Sequence, residues 1–245
     1  MGKATPGLIV GEARPWENDG HLMDPFTLIG GIAIVVFGIT THEAAHAYVA
    51  DRLGDPTARL MGRITLNPIP HIDLYLTIII PLLMFYTTGF VFGGAKPVPV
   101  QIHRMRNPLR SMALVALAGP GSNLLQALLW GGLLSFFTNM GYWEPESRGV
   151  MVLQVGIFAN VLLMVFNLMP IPPLDGSRVV MYFLKGEAQR TYMAMERFGI
   201  LILLGLLFVV PAFRGLLHYC LATVGNLVAT VTMLPDHVAW FPPLG

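Results

Sequence analysis

Within an otherwise apolar stretch, His42-Glu43-Ala44-Ala45-His46 sets two imidazoles four residues apart with a carboxylate beside the first. On an α-helix, positions i and i+4 share one face. Both imidazoles can then reach one metal ion, and Glu43 can sit beside a water on that metal. This is the HExxH arrangement of two zinc ligands and a general base. Zinc lowers the pKa of its water to about 7, and the glutamate takes a proton as the hydroxide attacks a carbonyl. The motif also arises by chance in soluble chains. Here chance would have to explain three ionisable residues in a nonpolar helix, where a charged group costs about 2.5–3.5 kcal/mol at the bilayer centre on insertion scales. Such residues are functional by default.

A catalytic zinc usually takes three protein ligands and keeps one position for water. The best candidate for the third is Asp175, in Asn167-Leu168-Met169-Pro170-Ile171-Pro172-Pro173-Leu174-Asp175-Gly176. Spacing and composition alone leave Asp175 equally readable as an ordinary Asp-Gly turn residue after prolines.

The elements that must position these groups belong in a bilayer. The 245 residues are 54% hydrophobic and only 12% charged, against about a quarter charged in soluble domains. Mean hydropathy is +0.63. Apolar runs cover Phe26 to about Ala50, Leu74–Phe92, about Leu109–Phe137, Val150–Met169, Phe198–Ala212 and Leu216–Leu234. Several approach or exceed the ~20 residues that span a hydrocarbon core. The expected fold is an all-α polytopic membrane protein of about six hydrophobic helices, with a re-entrant or extended segment around residues 93–100. Residues 1–25 read as a polar tail without a cleavable signal peptide, 26–235 as a single transmembrane domain and 236–245 as a C-terminal tail. A net charge of +1 gives no reason to expect a nucleic-acid partner. Cys220, the one cysteine, excludes an internal disulfide.

Loop charges give an orientation. Arg52, Arg59 and Arg63 follow the first run, Lys96, Arg104, Arg106 and Arg110 the second, and Arg178, Lys185, Arg190 and Arg197 the fourth. Glu144 and Glu146 outnumber Arg148 after the third. The positive-inside rule places the basic loops in the cytoplasm, and the His46 end of the first run with them. The run 74–92 then begins and ends beside cytoplasmic loops, so a single crossing fails. Gly93, Gly94, Pro97 and Pro99 make the stretch after it non-helical. Such backbone at membrane depth must be buried in protein or line a wet cavity. We expect it to line the active-site cavity.

Together, HEAAH on one hydrophobic helix, Ala118-Gly119-Pro120-Gly121-Ser122-Asn123 on another and the Asn167–Gly176 segment on a third resemble the site-2 protease family of membrane metalloproteases. The resemblance covers nearly all of Gly30 to about Val180 and looks like a compact branch without PDZ or CBS domains. Leu66–Asp73 and Ala95–Val100 also look like this branch; Leu74-Tyr75-Leu76 departs from the Pro-x-Gly that often follows His-x-Asp in relatives. The resemblance implies that His42, His46 and Asp175 bind one zinc ion per chain and that Glu43 is the catalytic acid/base. It puts Asn167 near the zinc, where an amide can donate to a substrate carbonyl or oxyanion.

Other residues are secondary. Asn123 is a possible substrate-binding group or, equally, a helix-packing asparagine. Lys96, Pro97 and Val98 can pair as an edge strand with unwound substrate. His71 and Asp73 are an accessory metal-affine or gating pair, or more plainly an interfacial hydrogen-bonded pair. The expected partners are a transmembrane protein substrate and the lipid bilayer. The expected place is the cell membrane, multi-pass, with the active site toward the cytoplasm. Two further readings are a catalytically silent family member that binds membrane proteins and a metal transporter using the same ligands. Transport does not need the glutamate, so Glu43→Gln separates it from proteolysis.

Overall fold

The computed structural model describes residues 24–80, 82, 83, 86, 93–235 and 238. Most of the two expected tails and most of residues 81–92 of the second run, with Pro81 and Gly89, lie outside the described residues. Among those described there are helices and irregular segments but no strand.

Helix α1 spans Pro25–Arg52. Asp24 caps it by accepting the Thr27 N–H at 3.1 Å, and Pro25 occupies the first turn, where a missing N–H costs nothing. A short α2, Thr57–Leu60, follows. The chain then runs through a π-helical turn at Leu74–Ile79 and irregular backbone to α3, Pro108–Asn139. Helix α4 is Arg148–Asn167, α5 Asp175–Phe183, α6 Gly186–Ala194, α7 Gly199–Val209 and α8 Pro211–Val231.

Helices α1, α3 and α4 pack against one another. Ile34, Ala127, Leu134, Val150, Leu153, Ile157 and Val161 fill the space between them, and Val228 of α8 joins from one side. Arg148 Nε lies 3.3 Å from Asp24 Oδ2, so α1 and α4 start at the same end of the bundle. Ala50, Met105 and Val115 pack at the other end, where α1 finishes and α3 begins. The segment between α1 and α3 therefore leaves and re-enters one end of the bundle, which agrees with the failure of a single crossing. Outward faces carry Ile29, Ile32, Leu125, Leu129 and Phe136 exposed, as helices in hydrocarbon require.

Among the described residues the expected count of about six hydrophobic helices is not confirmed. Four stretches are long and apolar enough to cross a membrane: Pro25–Arg52, Pro108–Asn139, Arg148–Asn167 and Gly186–Val209. The last joins α6 to α7 through a 3-10 turn at Met195–Phe198. Helix α8 begins at Pro211 rather than Leu216, because proline fits the first turn. Arg214, His218 and Asn226 dilute its 21 residues, and it is not among the four.

Candidate metal centre

One helical turn brings His42 and His46 to the same face of α1, and both are buried. Their Nε2 atoms lie 3.0 Å apart. Asp175, the first residue of α5, puts Oδ2 at 3.2 Å from each. Among the described residues this is the only group of three or more His, Cys, Asp or Glu side chains whose ligand atoms converge.

The donor set fits a cation. His46 Nδ1 sits 2.7 Å from the Val115 carbonyl oxygen, which only accepts, so Nδ1 carries the hydrogen and Nε2 a lone pair. His42 Nδ1 lies 2.6 Å from Asn123 Oδ1 and is disposed the same way. Two imidazole lone pairs and a carboxylate oxygen then point at one another with no hydrogen between them, and Asp175 Oδ2 is buried without a donor. Zinc takes such ligands at about 2.0–2.2 Å. Tetrahedral neighbours at that radius lie about 3.3 Å apart, close to the separations seen.

Two glycines allow this approach. A Cβ on Gly119 of α3 would lie 2.5 Å from His46 Nε2 and 2.6 Å from His42 Cε1. A Cβ on Gly176 would lie 2.1 Å from the Leu168 carbonyl oxygen, so the start of α5 can fold back on the end of α4 only with glycine after Asp175. The glycine of this Asp-Gly pair thus carries Asp175 to the histidines. Pro120, next to Gly119, stays inside a continuous α3.

Glu43 is half-buried on the next face of α1. Its Oε2 accepts the Val98 N–H at 3.2 Å. Glu43 lies nine residues from Arg52, about 14 Å along the helix at 1.5 Å per residue. The irregular segment therefore reaches well into the bundle from the end where it enters. Residues 93–100 have no regular structure, with Lys96 and Pro97 exposed and Val98 half-buried. Their support comes from Arg63, a buried side chain whose guanidinium donates to the carbonyls of Pro70, Lys96 and Pro97. Below it, Asp55 accepts from the N–H of Gln101 and from Thr57.

The remaining sequence candidates fall in different places. Asn123 is fully buried, and its amide is engaged by His42 and by Asn160 Oδ1 at 2.9 Å. It lies between His42 and Asn160, in the position of a helix-packing asparagine. Asn167 ends α4, and its amide donates to Leu163 O at 3.0 Å, within its own helix. His71 and Asp73 have separate partners. His71 is buried with Nε2 3.2 Å from Thr65 O, and its carbonyl accepts the Lys96 N–H at 2.8 Å. Asp73 Oδ1 accepts the Tyr75 N–H at 3.0 Å, at the start of the π-helical turn. Arg63 and Asn160 are residues that sequence reasoning missed. A buried arginine in a polar loop leaves no signal, whereas an asparagine in the apolar run of α4 is the kind of intramembrane polar residue that asks for a partner.

The peptidase family M50 model matches residues 144–210, from the loop before α4 to the end of α7. "Putative zinc metalloprotease YwhC" of Bacillus subtilis (strain 168) is 36% identical over 197 residues, covering 79% of this chain and 86% of that protein. "Putative zinc metalloprotease Rip2" of Mycolicibacterium smegmatis is 34% identical over 196 residues, 77% of this chain and 71% of the relative. An archaeal protein from Methanocaldococcus jannaschii, "Putative zinc metalloprotease MJ0611", is 31% identical over 104 residues, 40% of this chain and 50% of its own length. No solved structure matches. With relatives of this identity and coverage, and a cluster of ligating side chains held among apolar helices, the chain belongs to peptidase family M50, the site-2 proteases.

Proposed function

We propose that the chain is an intramembrane zinc endopeptidase that hydrolyses peptide bonds of membrane-spanning proteins. The observation that carries this reading is the convergence of Asp175 of α5 on His42 and His46, beside Glu43 in the apolar helix α1. His42, His46 and Asp175 hold one zinc ion per chain. When bound, zinc supplies a Lewis acid and a water acidified to near neutrality.

The chain's own groups do the rest. Glu43 takes the proton of the attacking water and returns it to the leaving amine, and the Val98 N–H orients its carboxylate. Asn167, with one amide N–H on Leu163 O, offers the other to the substrate carbonyl as charge develops there. A substrate helix hides its carbonyls in its own hydrogen bonds, so the scissile stretch must unwind. The extended backbone at Lys96, Pro97 and Val98, beside Glu43, is the surface that receives it. The reading puts the protein in the cell membrane with several spans, and the basic loops that flank the site support a site toward the cytoplasm.

The test uses the full chain in detergent micelles with a single-span protein tagged at both ends. Glu43→Gln should keep about one zinc per chain and lose about 10²–10⁴-fold in cleavage rate. Undiminished cleavage by that variant would sink the proposal. The membrane proteins that accumulate in a Glu43→Gln strain then identify the substrate.

A further inference from the structure

Asn160 lies on α4, away from the converging ligand atoms, yet a chain of hydrogen bonds runs from it to His42. Asn160 Nδ2 donates to Gly156 O at 2.8 Å. Asn160 Oδ1 accepts from Asn123 Nδ2 at 2.9 Å, a shorter bond than the 3.5 Å that the same nitrogen makes to Gly38 O. Asn123 Oδ1 lies 2.6 Å from His42 Nδ1. Asn123 and Asn160 are both fully buried, so no water competes for these groups.

Each link forces the next. A backbone carbonyl only accepts, so the Asn160 NH2 must face Gly156. Its oxygen then faces α3, which turns the Asn123 NH2 toward it and the Asn123 oxygen toward α1. An oxygen at His42 Nδ1 requires the imidazole hydrogen there and leaves Nε2 with its lone pair. A flipped Asn123 would present NH2 to Nδ1, move the hydrogen to Nε2 and block the ligand atom. His46 meets a backbone carbonyl directly, at Val115, and needs no relay. The fit at Asn160 is close, since a Cβ on Gly38 of α1 would lie 3.2 Å from Asn160 Oδ1.

We propose that Asn160 is a positioning residue for the metal site: by fixing the Asn123 amide it selects the imidazole form of His42 that can hold zinc. The inference rests on the zinc reading given above. Outer partners of metal-bound histidines typically contribute 10–100-fold in metal affinity.

The experiment measures zinc affinity by chelator competition on the full chain in detergent micelles. Asn160→Leu keeps the volume and removes both links, and should weaken zinc binding about 10–100-fold. Asn160→Asp keeps an oxygen for Asn123 and, protonated, a hydroxyl for Gly156 O, and should stay near wild type. Asn123→Leu/Asn160→Leu should bind no more weakly than Asn123→Leu, because Asn160 acts only through Asn123. Wild-type affinity in Asn160→Leu, equal loss in the Leu and Asp variants, or losses that multiply in the double variant would each overturn the relay. If Asn160→Leu is not recovered folded, Asn160→Ala carries the same expectation, since alanine lacks the acceptor and favours helix. Wild-type protein that binds no zinc, or zinc binding that survives His42→Ala, overturns the metal reading itself and the relay with it.

Discussion

Glu43 lies between two kinds of structure. On one side, α1, α3, α4 and α5 form a wall in which helix periodicity and small residues set every position: His42 and His46 one turn apart, Gly119 against both rings, Asn123 behind His42. On the other, residues 53–107 reach the same carboxylate without regular structure at 93–100. There the backbone finds its partners in side chains. Arg63 serves three carbonyls, and Asp55 serves the N–H groups of Thr57 and Gln101. A buried polar backbone group left alone is costly, so an irregular segment in a membrane protein needs such anchors. Under the proposed function, the wall would hold the metal and the segment would set the approach to Glu43.

Substitutions can break that division. The largest effect is expected from Gly119→Ala. The new methyl meets rings that are already fixed through Nδ1, and overpacking of this kind costs about 1–3 kcal/mol. Zinc affinity should fall by the order of 100-fold, the upper range for disturbed ligand support. Equilibrium dialysis and thermal unfolding check both, and wild-type zinc binding would show that the wall yields to a methyl group.

Arg63→Met comes next. It keeps the apolar stem and removes the donors to Pro70, Lys96 and Pro97, and a hydrogen bond to a charged group contributes about 1.5–3 kcal/mol. Cleavage should drop at least about tenfold, the loss that ~1.4 kcal/mol in the transition state produces, while zinc per chain stays unchanged. Arg63→Lys should recover part of the rate. Metal analysis beside kcat/KM decides the matter, and loss of zinc in Arg63→Met would show that wall and segment are one unit.

The smallest effect is expected at Asp55. Burial pushes its carboxyl up, but the bonds from Thr57 and Gln101 and the charge of Arg104 outweigh it and hold the folded pKa below 3.8. A depressed folded pKa means stability that is present above the unfolded value and fades as pH falls through the folded one. Asp55→Asn should therefore unfold a few degrees below wild type at pH 7, as ~1 kcal/mol gives in a chain of this size. The gap should narrow below about pH 4. A gap that stays constant down to pH 3 would show that the Asp55 charge does not hold this end of the segment.

Much of the site was legible before any coordinates. An i, i+4 histidine pair needs only a helix to align it, and six apolar runs named the solvent. The first run, read from Phe26, starts within one residue of α1 at Pro25. The helix count was less legible. Arg214, His218 and Asn226 in α8 leave that helix short of a spanning stretch by composition. Asn123 was visible as a polar group among small residues, but its role depended on which ring it met.

Residue type and spacing were enough to specify a membrane, a helix with two histidines on one face and a glutamate beside them, and an aspartate-glycine pair as the candidate third group. Those are local properties, dictated by backbone periodicity and by the cost of charge in hydrocarbon. The fold had to settle what depends on groups far apart in the chain. Asp175 meets His42 only because α5 folds back on α4 at Gly176, Val98 meets Glu43 only because Arg63 and Asp55 anchor the irregular segment, and Asn160 reaches His42 only through Asn123. Contacts between distant segments carry no period to read, since packing alone chooses which side chains meet.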